Sequence, residues 1–385
     1  MNELLLATQL FYPELISTGQ SLTELSEALS DQGVKIQVIC APPTLVDRHS
    51  EYPKELVHHG IRVTRVWSTR FPKLNLLGKL LNHATFSWSV FLFLIFDRTK
   101  RPLLVPTNPP FLIWVCVLSL YFRPRRLVYV LFDLYPETPI AFGLMKPNGF
   151  MARIWRGLNQ IAYRKSDIVV VIGRCMQALV KAPAEKIRFI PLWVDTHTIS
   201  DMGTTTFREE WGLVGKRVVL YSGNMARFHD FETFLGAAKV LEDREDIIFV
   251  FVGDGYARKS IESCGLRNIQ IRNYVPRLDL GKLLRTADVG LVSLKDGFEG
   301  FSVPSKTFGI MAAGVPVVAV MSEKSEIARL LKEYNTGYVV PIGDVEACVT
   351  TILSVTPEMG ARGAEAVKKY YTVDRVALQY LACLK

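Results

Sequence analysis

The chain has 385 residues, 49% of them hydrophobic and 22% charged, enough for two domains that each bury a core. With 26 Gly, 20 Pro and no low-complexity stretch, a disordered, collagen-like or coiled-coil chain is excluded. The formal charge is +9, and the whole excess lies in residues 1–195, where 23 Lys and Arg stand against 14 Asp and Glu.

At the N-terminus, MNELLLATQL has neither a basic leader nor a long apolar run before a small-residue cleavage site, so no secretory signal is expected. The six cysteines are far apart without a CxxC, which fits free thiols in the cytoplasm better than a zinc module or a disulfide framework. Strands are predicted near 3–8, 34–40, 61–68, 103–107, 126–132, 167–172 and 187–191. A helix near 20–32 puts Leu22, Leu25 and Leu29 on one face and stops at Gly33.

Two uncharged stretches, Leu80 to Phe96 and Pro102 to Phe122, interrupt this series. The second has the length of a membrane span, but four prolines leave a helix from Phe111 that reaches only about 18 Å. A bilayer core is about 30 Å thick. Arg98, Lys100 and Arg101 follow the first stretch; Arg123, Arg125 and Arg126 follow the second. Basic residues beside an exposed apolar helix face suit an anionic membrane surface, and buried helices with solvated basic ends account for the same pattern. No helix-turn-helix, RNA-recognition or zinc-finger signature accompanies the charge, so nucleic acid is not an expected partner.

A second strand series begins with RVVLYSG (217–223) and continues with IIFVFVG (247–253), IQIRNYV (269–275), DVGLVSL (288–294) and VPVVAV (315–320), each followed by a helical stretch. The alternation predicts an α/β protein of two doubly wound Rossmann-like domains facing each other across a cleft. Their spans are residues 1–195 and 216–370, joined by a linker at 196–215 that has no periodic apolar face. Open parallel sheets bind ligands at the carboxyl ends of their strands, which directs attention to FDLYPE, SGNMARFHD, VGDG, RNYV and FEGFSVPSK.

The chain has no GxxxxGK[ST], HExxH, GxSxG or early GxGxxG, so an ATPase, a zinc peptidase, an α/β-hydrolase and a standard dinucleotide enzyme lose ground. Asp-x-Asp is also absent, and no His, Cys and acidic residues gather at metal spacing. A bound diphosphate would therefore be neutralised by cations and helix amides. Gly223 and Asn224 begin a turn that carries Arg227 and His229 just before a helix start, a plausible diphosphate clamp. A surface turn with a solvated Arg and a capping Asp230 fits equally. Downstream, Ser302, Val303, Pro304, Ser305, Lys306 and Thr307 form a loop that enters a helix and suits phosphate, with Lys306 as a point charge.

Taken together, LYSGNMARFHDFETFL, VFVGDG, DVGLVSL and SVPSKTFGIMAAGVPVVAV resemble the C-terminal domain of glycosyltransferase family 4, retaining nucleotide-sugar transferases of the GT-B fold. FYPELISTGQSLTELSEALSDQGVKIQVIC resembles the family's opening strand, loop and helix, and IRFIPLWVDTHTI its segment before the linker, with Trp193 in a Gly position. DLYPETPIAFG resembles a segment of the subgroup that builds bacterial surface polysaccharides, O-antigens and colanic-acid-type polymers.

The resemblance implies that Arg227 and His229 stand where the family has a basic pair for the donor diphosphate, with His in place of the commoner Lys. Gly253 and the turn Asn273, Tyr274, Val275 match the segment that meets the nucleotide, and the VPSK loop the one that meets diphosphate and sugar. Gly309 occupies the place of the family's second, ribose-contacting Glu, leaving Glu299 as the nearby acidic residue. Asp133 and Glu137 would face acceptor or donor sugar, orienting a hydroxyl or supporting the anomeric carbon; Asp133 also fits a helix N-cap. Thr18 and Gly19 would let backbone approach acceptor or diphosphate, or form a tight turn before the first helix. Residues 371–385 would be a helix crossing back to the first domain. The implied protein is a metal-independent, retaining transferase using a UDP-, GDP- or dTDP-sugar, with no cofactor, on a lipid-linked saccharide at the inner face of the cytoplasmic membrane. Two other readings stay open: a nucleotide-sugar 2-epimerase of the same fold, and a non-catalytic nucleotide-sugar-binding scaffold protein.

Overall fold

Runs such as LLLA and LVYVL have no polar face, so they become strands covered on both sides. The computed structural model describes residues 3–14, 18–44, 52–72, 76–195 and 205–385. It divides into two units: Met1–Pro191 with Val373–Lys385, and Leu192–Thr372.

In the first unit the strands are β1 (Glu3–Ala7), β2 (Lys35–Cys40), β3 (Glu55–His58), β4 (Ile61–Arg65), β5 (Leu103–Pro106), β6 (Leu127–Leu131), β7 (Ile168–Val171) and β8 (Ile187–Phe189). They form one sheet in the order β3-β4-β2-β1-β5-β6-β7-β8. All neighbours are parallel except β3 and β4, an antiparallel hairpin turned by His59 (φ 48°) and Gly60 (φ 74°). Two successive left-handed residues make the turn whose twist matches paired strands. The sequence reading missed β3 because its side chains alternate between exposed and half-buried and offer no apolar run.

The first helix, Thr18–Asp31, starts earlier than expected, so Thr18 and Gly19 belong to its first turn and not to a loop. A methyl at Gly19 would come within 2.6 Å of the Glu14 carbonyl oxygen, so this glycine lets the helix start close against the segment after β1. The helix Val373–Leu384 belongs to this unit and packs on Thr18–Asp31, with Arg126 donating to the Cys383 carbonyl at 2.9 Å.

The long helix Leu76–Phe96 is, among the described residues, the one helix long and apolar enough to cross a bilayer. Its inner face is nevertheless committed to the domain, where Phe86, Val90 and Leu94 are fully buried. Arg125 closes its C-terminal end, donating to Asp97 Oδ2 (2.8 Å) and to the carbonyls of Leu94 (3.1 Å) and Asp97 (3.2 Å). The two carbonyls are among the orphan acceptors that every helix end leaves behind.

The second unit holds β9 (Arg217–Ser222), β10 (Ile247–Val252), β11 (Ile269–Arg272), β12 (Val289–Ser293), β13 (Val317–Val320) and β14 (Gly337–Val340). Their order is β11-β10-β9-β12-β13-β14, all parallel. The four-residue β14 escaped the sequence reading because it follows a helix, Glu326–Tyr334, whose end is marked only by Asn335 at φ 50°. Residues 196–204 of the expected linker lie outside the described residues. Residues 205–215 belong to the second unit, where Phe207 and Leu213 are buried.

Candidate functional site

Parallel strands end in turns that point backbone amides and side chains at one edge of the sheet. In the second unit, the turns after β9 and β10 meet almost backbone to backbone. Gly253 has φ +138°, and a Cβ there would lie 2.1 Å from the Gly223 carbonyl oxygen. No side chain fits that approach.

Against this floor lies Lys306, the first residue of the helix Lys306–Ala312. Part of the residue is exposed, but its Nζ is buried and has no hydrogen-bond partner. The ammonium sits 3.7 Å from the centre of the Tyr221 ring, and a methyl on Gly223 would lie 3.3 Å from it. Burial pulls its pKa from the ordinary lysine range down to about 7. An ammonium held without an acceptor is expensive unless an anion arrives. The ring face recovers part of the cost.

His229 sits beside this charge in another state than the sequence suggested. Its Nδ1 donates to the Ser293 carbonyl at 2.6 Å, which leaves Nε2 with a lone pair. Burial, then the Lys306 charge, pushes the imidazole down to about 3, against the smaller upward pull of the Ser293 bond. The expected second cation is therefore a neutral ring in the empty site. Arg227 is exposed, with its guanidinium 4.2 Å over the ring of Tyr256. Tyr256 was not singled out from sequence; the signal was an aromatic immediately after the glycine-rich turn at 253–255, and it is 67% exposed.

Around the same strand ends, Asn224 and Asn273 are exposed, Val275 is half-buried, and Tyr274 stands exposed with its ring edge near Gly253. In the loop, Ser302 is half-buried, Val303 and Pro304 are buried, and Ser305 is exposed without capping the helix. Thr307 differs from the expectation. Its hydroxyl donates to the Pro304 carbonyl at 2.9 Å and its amide to the same oxygen at 3.3 Å, so both brace the turn. Glu299 likewise holds its own loop, Oε2 accepting from the Gly297 amide at 2.7 Å.

In the first unit, Asp133 follows β6 and its carboxyl is raised to about 6 by burial. It is not the N-cap it could have been, since Pro136 holds that place before the helix Glu137–Ala141. The hydroxyl of Thr107 accepts from the amides of Phe132 (3.1 Å) and Asp133 (3.2 Å), fixing the backbone while the carboxylate itself stays free of donors. Glu137 is committed: Arg156 Nε donates to its Oε1 at 2.8 Å. That pair makes Glu137 a brace between two helices. Glu137→Gln is expected to cost about 1 kcal/mol or less in thermal denaturation and to keep kcat within about threefold. A kcat loss of two orders of magnitude would return the carboxylate to the chemistry.

No cluster of three metal-ligating side chains occurs among the described residues.

Two family descriptions match the chain: Glycosyl transferases group 1 over residues 216–356, and Glycosyl transferase 4-like domain over residues 18–193. The Pseudomonas aeruginosa protein named "Probable glycosyltransferase WbjE" is 31% identical over 298 residues, 74% of this chain and 74% of that one. The Escherichia coli K12 protein named "Putative colanic acid biosynthesis glycosyl transferase WcaI" is 28% identical over an alignment of 393 residues, covering 95% of this chain and 92% of that one. Among solved structures, Alr3699/HepE of Anabaena in complex with UDP and glucose superposes with TM-score 0.72 at 15% identity, covering 100% of this chain and 99% of that one. That likeness is one of fold.

Proposed function

Because the chain belongs to the group 1 glycosyl transferases and has their GT-B fold, we propose that it moves a sugar, with retention, from a nucleoside diphosphate to a lipid-linked saccharide during surface polysaccharide assembly. The reading rests above all on the buried Lys306 ammonium, which lacks an acceptor and stands against the Gly223 turn. A diphosphate leaving the anomeric carbon gathers negative charge, and a preorganised, desolvated cation stabilises that charge far better than water does. Arg227 supplies a second, mobile cation once it leaves Tyr256. The neutral Nε2 of His229 accepts a hydrogen bond from a sugar or phosphate hydroxyl.

Retention follows if the acceptor attacks on the face that the diphosphate leaves. The anomeric C–O bond to phosphate breaks, the C–O bond to the acceptor forms on the same side, and the acceptor proton passes to the departing phosphate oxygen. No protein nucleophile is needed. Asp133 orients the acceptor hydroxyl or supports the anomeric cation. The UDP held by HepE, the colanic acid assignment of WcaI and the basic, apolar character of the first unit support donor class, pathway and acceptor. We place the protein on the inner face of the cytoplasmic membrane as a peripheral protein.

The test incubates the purified protein with UDP-, GDP- and dTDP-sugars and lipid-linked acceptors, with and without EDTA, and reads product anomers by NMR. An α-linked product from an α-donor, unaffected by EDTA, is expected. Donor consumed without acceptor identifies an epimerase; tight donor binding with no turnover identifies a scaffold; an inverted anomer removes the retaining mechanism.

A further inference from the structure

Three helices of the first unit lie side by side, Leu76–Phe96 against Leu112–Ser119 and that in turn against Phe150–Lys165. Aromatic contacts join them: Phe91 meets Phe122 edge-on at 6.1 Å, and Trp114 meets Trp155 at 5.8 Å. Their inner faces are buried, so their outer faces should be polar. They are not. On the first helix Leu77, Leu81, Trp88 (57% exposed), Leu92 and Phe96 (76%) recur at helical spacing along one stripe. Leu118 on the second, with Tyr121 and Phe122 just past its end, continues the exposed apolar surface, and Phe150 (76%), Ile154 and Ile161 do so on the third. Scattered exposed apolar residues need no explanation, but a contiguous set does.

Charge identifies the occupant. None of the three helices contains an Asp or Glu, while Lys79, Arg153, Arg164 and Lys165 are exposed on them and Arg98, Lys100 and Arg123 at their ends. Lys165 Nζ rests 5.0 Å over the Tyr121 ring, so the basic rim and the apolar surface are one surface. Long basic side chains laid along apolar and aromatic residues are the pattern of a protein seated in a lipid headgroup layer. The long helix does not leave the domain to span a bilayer, because Phe86, Val90 and Leu94 anchor one side of it and Arg125 its end. It lies in the plane.

We infer that the outer faces of these three helices form a monotopic docking surface for an anionic lipid bilayer, with Trp88 and Phe96 entering the acyl boundary and Arg153 and Lys165 meeting headgroup phosphates. This deepens the membrane placement proposed above and rests on that part of it; it does not depend on the donor chemistry.

The test is flotation of the full chain with vesicles of phosphatidylcholine alone and of phosphatidylcholine with phosphatidylglycerol. Binding to the anionic vesicles is expected, stronger than to the neutral ones. The pair Trp88→Ser and Phe96→Ser should weaken it at least about tenfold, and the pair Arg153→Gln and Lys165→Gln should weaken it on anionic vesicles only. Near-ultraviolet circular dichroism and cooperative thermal unfolding, unchanged in all variants, certify an intact first unit, and neither readout depends on the donor chemistry. No flotation, or flotation that the apolar pair leaves unchanged, overturns the inference. So does a wild-type dimer in sedimentation that the same pair makes monomeric, since a second copy would then cover the surface.

Discussion

Lys306→Met is expected to weaken nucleoside diphosphate binding by at least about a hundredfold while raising thermal stability. The first effect follows from losing the buried cation that the proposed function sets against the diphosphate, worth about 2–5 kcal/mol in comparable charge pairs, with each 1.4 kcal/mol a factor of about ten. The second follows from linkage. Lys306 titrates near 7 when folded and in the ordinary lysine range when unfolded, so between those values the unfolded chain holds the extra proton. Stability therefore climbs as pH rises through that window, and the full penalty, on the order of a few kcal/mol, is present below about pH 7. Methionine, of similar length and without charge, removes the penalty. Melting curves at pH 6 and pH 9 should show a larger gain at the lower pH. A variant that melts lower at both and still binds UDP would show that the ammonium has a protein partner and no role with the donor.

Asp133→Asn is expected to lower kcat by on the order of 10² to 10⁴ while leaving UDP affinity unchanged. The carboxyl titrates near 6, so the wild-type rate should fall about tenfold per pH unit below that value as the carboxylate is protonated. The asparagine variant should lose that limb of the profile. Here the sign for stability is opposite to that of Lys306: the folded state holds the proton more tightly than the unfolded one, so stability falls as pH rises from the ordinary aspartate range through about 6. The asparagine variant should therefore be as stable as the parent or slightly more so at pH 7. Unchanged kcat across pH 5–8 would take Asp133 out of the reaction.

Burial disfavours the charge on each residue, and in the proposed function each is a candidate for chemistry on that ground. Their burial could not be read from the chain. FDLYPE and SVPSK located Asp133 and Lys306, but what surrounds each comes from contacts between segments far apart in sequence: Tyr221 and Gly223 beside the lysine ammonium, and Thr107 on the backbone amide of Asp133. The same limit explains Glu137 and Thr307. Each is a polar residue at a strand or loop end, the right type in the right place, yet one is taken by Arg156 and the other by Pro304. His229 is a basic residue by type; only its burial and the neighbouring Lys306 charge, neither legible in the chain, make it neutral.

The strands were far more legible. Most of the twelve runs are apolar with glycine or proline at an end, and that is the fold's own signal, because parallel strands covered on both faces tolerate no polar alternation. The exceptions, β3 and β14, are four-residue edge strands with exposed side chains, where pairing with a neighbour decides the structure and composition does not.

The contact between the Gly223 and Gly253 turns limits how such an enzyme can change its donor. With the two backbones too close for a single methyl, neither turn of the floor has room to grow, and an inserted residue would lift one strand end off the other. If the donor sits over this floor as proposed, new sugar or base preferences are reached by exchanging the side chains that stand above it, Tyr256 and Tyr274 first. A library built on those two positions should yield altered selectivity, and one built on loop length should yield unfolded protein.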